Sequence, residues 1–171
     1  MRYAFGHMGW RSLILHPDLI TGHEHIYIGD NVFIRQHARL EAIPLASGLP
    51  PRLEILDGTH AEFYFHVACA NHVRIGRHVL IAGRVFITDH DHVFTEPNRP
   101  ILEQGLSVHP VNIGDYVWLG EGVIVLKGVH IGDNAIVGAG SIVTNSIPAG
   151  AIAVGIPAKV IGYRKGYKPI N

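Results

Sequence analysis

The fold is decided by residues 113–148, which read IGDYVW LGEGVI VLKGVH IGDNAI VGAGSI VTNSIP when divided every six positions. An aliphatic residue begins each segment, and a small or β-branched residue usually stands four positions later. A helix would need a period near 3.6, and a simple strand a period of about 2. A period of six with recurrent glycine instead predicts short strands joined by tight turns, with three hexapeptides in each triangular coil. The residues that begin the segments are Ile113, Leu119, Val125, Ile131, Val137 and Val143.

The same spacing occurs upstream, although less regularly. It runs through Ile28, Ile34 and Leu40, then Ile55, Ala61, Val67 and Val73, and then Ile75, Ile81 and Ile87. The pattern predicts one all-β domain over residues 1–171, a parallel β-helix of hexapeptide repeats over 26–153. Residues 1–25 are expected to be a lead-in. Residues 154–171 are expected to form a short C-terminal arm that leaves the repeat and ends in a short helix or irregular structure.

Two interruptions of the repeat carry the clearest functional information. Residues 41–52 (EAIPLASGLPPR) are predicted to loop out between coils. Residues 88–110 (TDHDHVFTEPNRPILEQGLSVHP) contain three prolines and no six-residue pattern, and they predict a protruding loop. A long excursion from a regular scaffold is usually functional, because the scaffold positions the groups that the loop carries.

Composition narrows the class of protein. The chain is 47% apolar and 16% charged, and its 14 basic residues balance its 14 acidic residues. That balance argues against a nucleic-acid or membrane-surface partner. The single cysteine, Cys69, cannot form an internal disulfide, and the N-terminal segment predicts neither a signal peptide nor a membrane-spanning helix. We therefore expect a cytoplasmic protein without membrane insertion.

Longer motifs extend the analysis to a known family. ITDHDH, the proline-rich loop, and the motifs IGDYVWLGEGV, VGAGSIVT and VGIPAKVI together resemble the hexapeptide-repeat acetyltransferases. The resemblance is strong over about residues 55–162 and weaker over 26–54. It is closest to the maltose and galactoside acetyltransferases and to the sugar O-acetyltransferases of surface-polysaccharide synthesis. It implies a left-handed β-helix, a homotrimer, and acetyl-CoA bound in a groove between subunits.

The resemblance also implies where an acceptor hydroxyl loses its proton. An ungapped match places the family's catalytic base on His92, and His90 is the neighbouring candidate. In an extended chain these two side chains point to one side, while those of Asp89 and Asp91 point to the other. Histidine suits the role because its pKa lies near neutral pH. No serine or cysteine nucleophile is evident, so direct attack on the thioester is expected.

Further candidates follow from the same match. Glu62 falls where relatives place a polar acceptor-site residue, and it could orient His92 or be a solvated turn residue. Apart from that match, Asp89 beside His90 and His109 before Pro110 in the returning loop are further candidate acceptor contacts, and Asp89 could instead form a local turn. The donor residues implied for the CoA groove are Trp118, Gly120, Glu121, Gly138, Ala139, Thr144, Asn145, Lys159 and Arg164. Asn145 stands where relatives commonly have lysine, which removes a charge near the CoA phosphates.

The resulting hypothesis is an acetyl-CoA-dependent sugar O-acetyltransferase of capsule, exopolysaccharide or lipopolysaccharide synthesis. It requires no metal and acts on a sugar or glycan acceptor, for example a nucleotide-linked or lipid-linked intermediate near the membrane. One alternative is a zinc enzyme of the carbonic anhydrase kind, suggested by the 13 histidines. That family needs two histidines five residues apart on a coil, whereas His72 and His78 are six apart. The other alternative is a trimeric scaffold without catalytic activity.

Overall fold

Three parallel sheets run the length of the molecule and enclose a triangular core. The structure is a computed structural model that describes residues 4–45 and 48–167. We call the sheets face A, face B and face C. Each coil contributes one strand to each face in that order, and the chain then moves up by one strand spacing to start the next coil. This is the left-handed parallel β-helix that the hexapeptide repeat predicted.

The strands are short, as a six-residue repeat requires. In chain order they are β1 His7–Met8, β2 Leu13–Ile14, β3 Leu19–Thr21, β4 Ile26–Ile28, β5 Phe33–Ile34, β6 Arg39–Ala42, β7 Arg52–Ile55, β8 His60–Ala61, β9 His66–Cys69, β10 His72–Ile75, β11 Leu80–Ile81, β12 Phe86–Thr88, β13 His90–His92, β14 Leu106–Val108, β15 Val111–Ile113, β16 Trp118–Leu119, β17 Ile124–Val125, β18 His130–Ile131, β19 Ile136–Val137, β20 Ile142–Val143, β21 Ala151–Gly155 and β22 Ala158–Tyr163. Two 3-10 helices cover His23–His25 and Ile101–Glu103.

The interior is a set of aliphatic stacks, one side chain per coil. On face C, for example, Leu40, Val67, Ile87, Val125 and Val143 are each fully buried and lie in register from coil to coil. Truncating such a buried Leu or Ile to alanine typically costs about 2–5 kcal/mol. The six-residue period of the sequence therefore reflects the spacing of the buried core residues.

Corners between faces are tight turns that often place a non-glycine residue at positive φ. Between faces A and B this residue is Arg11, Asn31, His78, Tyr116 or Asn134, and the coil between Asn31 and His78 has Gly58 at the same position. Aspartates cross-link neighbouring turns here: Asp57 Oδ1, for example, accepts the backbone N–H of Asp30 at 2.9 Å. The turns therefore stack as regularly as the strands.

The structure departs from the predicted boundaries at both ends. Residues 7–21 are a coil of the β-helix rather than a lead-in, because β1, β2 and β3 pair in parallel with β4, β5 and β6. Residues 151–163 form an antiparallel hairpin, β21–β22, which extends face B in place of the predicted helix or irregular arm. The first loop covers residues 43–51, where 46 and 47 lie outside the described residues.

Candidate functional site

The protruding segment, residues 89–110, is a structured arm that leaves the corner between faces C and A. Its base is an antiparallel hairpin in which His90, Asp91 and His92 of β13 pair with Val108, Ser107 and Leu106 of β14. Lys127, in the next coil, fixes this base: its Nζ lies 3.0 Å from Asp91 Oδ2 and 2.9 Å from Ser107 Oγ. The arm therefore holds the two candidate histidines on a strand anchored to the scaffold.

Asp89 and His90 form a buried pair at the root of the arm. The Asp89 carboxylate is 0% exposed, and its Oδ1 lies 3.0 Å from His90 Nδ1. Backbone N–H groups of the preceding coil hold the same carboxylate: Ala70 donates to Oδ1 and Asn71 to Oδ2, each at 2.8 Å. Thr88 Oγ1 lies 3.3 Å from His90 Nδ1 as well. An aspartate held in this way fixes both the position of the ring and the nitrogen that carries its proton.

The electrostatics of the pair favour an ionised Asp89. Burial alone would raise the pKa of Asp89, but the hydrogen bonds from His90, Ala70 and Asn71 together hold that pKa below its ordinary value. An ionised Asp89 accepts a proton-bearing Nδ1, so the neutral His90 ring keeps its lone pair on Nε2. That is the tautomer required of a general base oriented by a carboxylate.

His92 has a different environment. It is exposed, and its side chain makes no hydrogen bond or ion pair within the described part of the chain. Asp91 turns to the opposite side of the hairpin, towards Lys127, as the strand alternation predicted. Asp89 departs from that prediction, because the chain turns between Thr88 and His90 and brings its carboxylate to the His90 ring.

The predicted acceptor residues are not brought together within one chain. Asp89 is fully buried with both oxygens occupied, so it positions His90 and cannot touch a sugar; nor does it form the local turn considered above. Glu62 lies at the corner between faces B and C, 3.5 Å from Arg35 NH1, in a cleft that also includes Glu121. His109 stays beside the pair through its backbone, whose N–H donates to the Asp89 carbonyl at 2.8 Å, and its side chain is exposed.

The predicted donor residues fall into three places. Gly120, Glu121, Gly138 and Ala139 meet at the corner between faces B and C, where the Gly140 N–H donates to the Glu121 carbonyl at 2.8 Å. Trp118 and Arg164 line a second cleft of about 310 Å³ on face B, and Lys159 is exposed on β22. Thr144 and Asn145 lie at the corner between faces C and A, joined by a 2.9 Å hydrogen bond.

Gly120 has a structural reason of its own to be small. A Cβ at this position would lie 2.6 Å from the backbone nitrogen of Ala139 in the next coil. The packing of coils therefore requires glycine here, whether or not a ligand lies nearby.

Within residues 4–45 and 48–167, no group of three or more His, Cys, Asp and Glu side chains is arranged to hold a metal ion. Nor do these ranges contain a helix with the length and hydrophobicity needed to cross a membrane.

Comparison with known proteins places this geometry in a family. Residues 110–145 match the family described as "Bacterial transferase hexapeptide (six repeats)". The galactoside O-acetyltransferase of Escherichia coli K12 is 31% identical over 161 residues, which cover 94% of this chain and 74% of that protein. The chain belongs to the hexapeptide-repeat transferase family.

Two further members of the hexapeptide-repeat transferases are informative. The putative lipopolysaccharide biosynthesis O-acetyl transferase WbbJ of Escherichia coli K12 is 44% identical over 112 residues, which cover 61% of this chain. The chain spans 57% of the length of WbbJ. The acetyltransferase VCA0836 of Vibrio cholerae, solved with acetyl-coenzyme A, superposes with a TM-score of 0.57 at 25% identity, covering 93% of this chain and 71% of VCA0836.

Several residues at the site could not be identified from the six-residue repeat. Ala70 and Asn71 act through their backbone, and Thr88 and Lys127 through contacts that depend on the arm. One signal could have revealed the buried pair: a carboxylate directly after the last regular strand faces the turn of the preceding coil, whose N–H groups need an acceptor.

Proposed function

We propose that this protein is an acetyl-CoA-dependent O-acetyltransferase whose acceptor is a sugar hydroxyl of a surface polysaccharide or its precursor. The observation that carries the proposal is the Asp89–His90 pair at the root of an anchored arm, in a chain of the hexapeptide-repeat transferase family. The names of the O-acetyltransferase relatives, galactoside O-acetyltransferase and WbbJ, support the reaction class and the acceptor class.

The chemistry is a single transfer. The acceptor hydroxyl oxygen attacks the thioester carbonyl carbon of acetyl-CoA, and His90 Nε2 takes the hydroxyl proton as the new C–O bond forms. The C–S bond then breaks, and the proton passes from His90 to the departing sulfur, which leaves as the thiol of CoA. Asp89 stabilises the imidazolium that exists between these two transfers.

We place the base at His90 rather than at His92, the residue favoured by the ungapped family match. His90 is oriented by a carboxylate 3.0 Å away, and its side chain is only 14% exposed. His92 is exposed and has no side-chain partner among the described residues, so its ring orientation is not fixed, and we assign it to contact with the substrate or with a neighbouring subunit.

The donor is expected to lie along the predicted CoA residues of two adjacent subunits in a homotrimer. Exposed apolar side chains on the outer surface of face B support association, since Leu13, Leu80 and Trp118 are each 48% exposed. Because acetyl-CoA is a cytoplasmic metabolite, we place the reaction in the cytoplasm. Light scattering should then give about three times the 18.7 kDa of one chain.

The test is the release of CoA thiol from acetyl-CoA in the presence of glycoside acceptors, for the wild type and for His90→Asn and His92→Asn. His90→Asn keeps a donor towards Asp89 but lacks Nε2, so kcat should fall by about 10²–10⁴. His92→Asn should retain kcat within about tenfold. Loss of turnover in His92→Asn with retention in His90→Asn would assign the base to His92. The absence of thioester cleavage with every acceptor would remove the proposed activity.

A further inference from the structure

Three side chains on the outer surface of face C form a compact cluster, Arg39, Glu41 and His66, which we call the face C triad. His66 Nε2 lies 2.8 Å from Glu41 Oε1, and Arg39 NH2 lies 2.9 Å from the same oxygen. The Glu41 side chain is 17% exposed. The His66 ring rests against Phe86, with ring centroids 4.6 Å apart. The geometry of the triad is therefore well defined for an outer surface.

A triad of the same composition lies on face A and shows what is distinctive about the first. There, Arg52 NH2 lies 2.8 Å from Glu54 Oε1 and His72 Nε2 lies 2.9 Å from Glu54 Oε2. The two partners of Glu54 thus take different oxygens. Both partners of Glu41 take Oε1, which leaves Oε2 as the oxygen available to an incoming hydroxyl.

The strand register places the face C triad close to the proposed base. Glu41 pairs with Ala68, and Ala68 pairs with Thr88, so these residues form one outward row across β6, β9 and β12. Strands lie about 4.8 Å apart, which puts the Cα atoms of Glu41 and Thr88 about 10 Å apart. His90 Nδ1 contacts Thr88 Oγ1. Glu41 and His90 therefore lie on opposite sides of Ala68, whose small side chain is 7% exposed.

The charges and protonation states of the face C triad limit the kind of ligand that could bind beside it. Burial lowers the pKa of His66, although its bond to Glu41 opposes that effect. A neutral His66 that donates through Nε2 presents Nδ1 as a second acceptor. Arg39 and Glu41 then balance each other's charge, and the free oxygen of Glu41 disfavours a phosphate or a carboxylate in the same place.

We infer that the face C triad is the acceptor subsite, holding an uncharged hexose ring over Ala68 with one hydroxyl donated to Glu41 and another presented to His90 Nε2. This inference rests on the proposed function and specifies where its acceptor binds. It replaces Glu62 as the carboxylate that selects the sugar within one chain. The site lies on the side of His90 towards the N-terminal coils, away from the predicted CoA residues.

The test measures binding rather than turnover, so that it is independent of the proposed reaction. The probes are methyl β-galactopyranoside, methyl α-glucopyranoside and methyl N-acetyl-β-glucosaminide, titrated by saturation-transfer NMR into protein saturated with CoA. Glu41→Gln should weaken the best probe at least tenfold and leave CoA affinity unchanged. Glu54→Gln is the matched control, because it removes the same charge and the same partner types from face A, and it should change sugar affinity less than twofold.

Two further variants make the outcome decisive. Ala68→Val adds side-chain volume beneath the proposed sugar ring and should also weaken binding of the probe. This variant covers the case in which Glu41→Gln fails to fold. His90→Asn should abolish turnover and should weaken the probe less than Glu41→Gln does, because the hydroxyl donated to Glu41 is retained. Equal effects of Glu41→Gln and Glu54→Gln, unaltered binding in Ala68→Val, or no binding of any glycoside to the wild type would each overturn the subsite. Binding as expected without acetyl transfer by the wild type would instead count against the proposed function.

Discussion

Replacing Asp89 with asparagine keeps the shape of the side chain but removes its charge and one of its two acceptor oxygens. Ala70 and Asn71 donate backbone N–H groups to different oxygens of Asp89, so one of them must face the amide NH2 in the variant. A hydrogen bond to a charged buried group contributes about 1.5–3 kcal/mol, and an unsatisfied buried donor costs about 1–3 kcal/mol. We expect Asp89→Asn to lower the free energy of unfolding by about 2–4 kcal/mol.

The effect on catalysis should be larger than the effect on stability. Asparagine can present its NH2 group to His90 Nδ1, which would move the ring proton to Nε2 and abolish the base. Loss of a general base costs about 10²–10⁴ in rate, so kcat for CoA release should fall by at least 10², while the KM for acetyl-CoA stays within about threefold.

The contribution of Asp89 to stability changes with pH in a defined direction. The pKa of Asp89 is lower in the folded protein, so its contribution is present above the unfolded pKa of about 3.9 and is lost as the pH falls through the folded value. The contribution that the Asp89 charge makes to the stability difference between wild type and Asp89→Asn should shrink in urea unfolding as the pH falls below about 4.

The matched control is Asp57→Asn, which alters an exposed carboxylate that also accepts a backbone N–H from the neighbouring coil. It should cost less than about 1 kcal/mol, and kcat should not change. If Asp89→Asn is folded and retains kcat within threefold of the wild type, the reasoning that makes His90 an oriented base is refuted.

Three further outcomes follow from individual contacts. Lys127→Met removes the ion pair to Asp91, so amide exchange in β13 and β14 should accelerate about threefold to fivefold; unchanged exchange would show that the arm is held by other contacts. Gly120→Ala places a Cβ 2.6 Å from the Ala139 nitrogen and should lower the free energy of unfolding, measured in urea, by about 1–3 kcal/mol. An unchanged free energy of unfolding would mean that the coils can separate. Cys69 is buried, and mainly this burial raises its pKa to about 12, so a thiol reagent should label it only after unfolding; rapid labelling of the native protein would contradict the burial.

The coils were predictable because each buried position repeats at a fixed spacing. The first coil could have been predicted in the same way, since Ile14, Ile20 and Ile26 are also six residues apart. It was not predicted because its clustered aliphatic residues, SLILHPDLI, obscure the six-residue spacing and the segment has no IGD motif. The C-terminal hairpin was not predicted for another reason. β21 and β22 pair antiparallel around a turn, so no parallel repeat in the sequence indicates their register.

The location of the site could be predicted from the sequence, but the choice between its two histidines could not. The end of the repeat at Thr88 marked the arm correctly, and His90 and His92 were both identified as candidates. The choice between them depends on Asp89, whose carboxylate turns towards His90 and towards N–H groups of a coil about 18 residues earlier in the chain. Alternation along an extended strand predicted the opposite direction, because it assumes that the strand continues through a turn.

The two Arg–Glu–His triads show why residue chemistry alone could not locate an acceptor site on this fold. Outward positions of a β-helix are independent of its core, so the same three residue types can occupy two faces with nearly equal distances. One face can therefore carry a structural ion pair and the other a ligand site without any difference in composition. Two features separate them: the partners of Glu41 share one carboxylate oxygen whereas those of Glu54 take both, and the Glu41 triad shares a row with Thr88 and hence with His90, while the Glu54 triad lies around the corner on face A. Comparing Glu41→Gln with Glu54→Gln therefore tests these two features while the residue types are held constant.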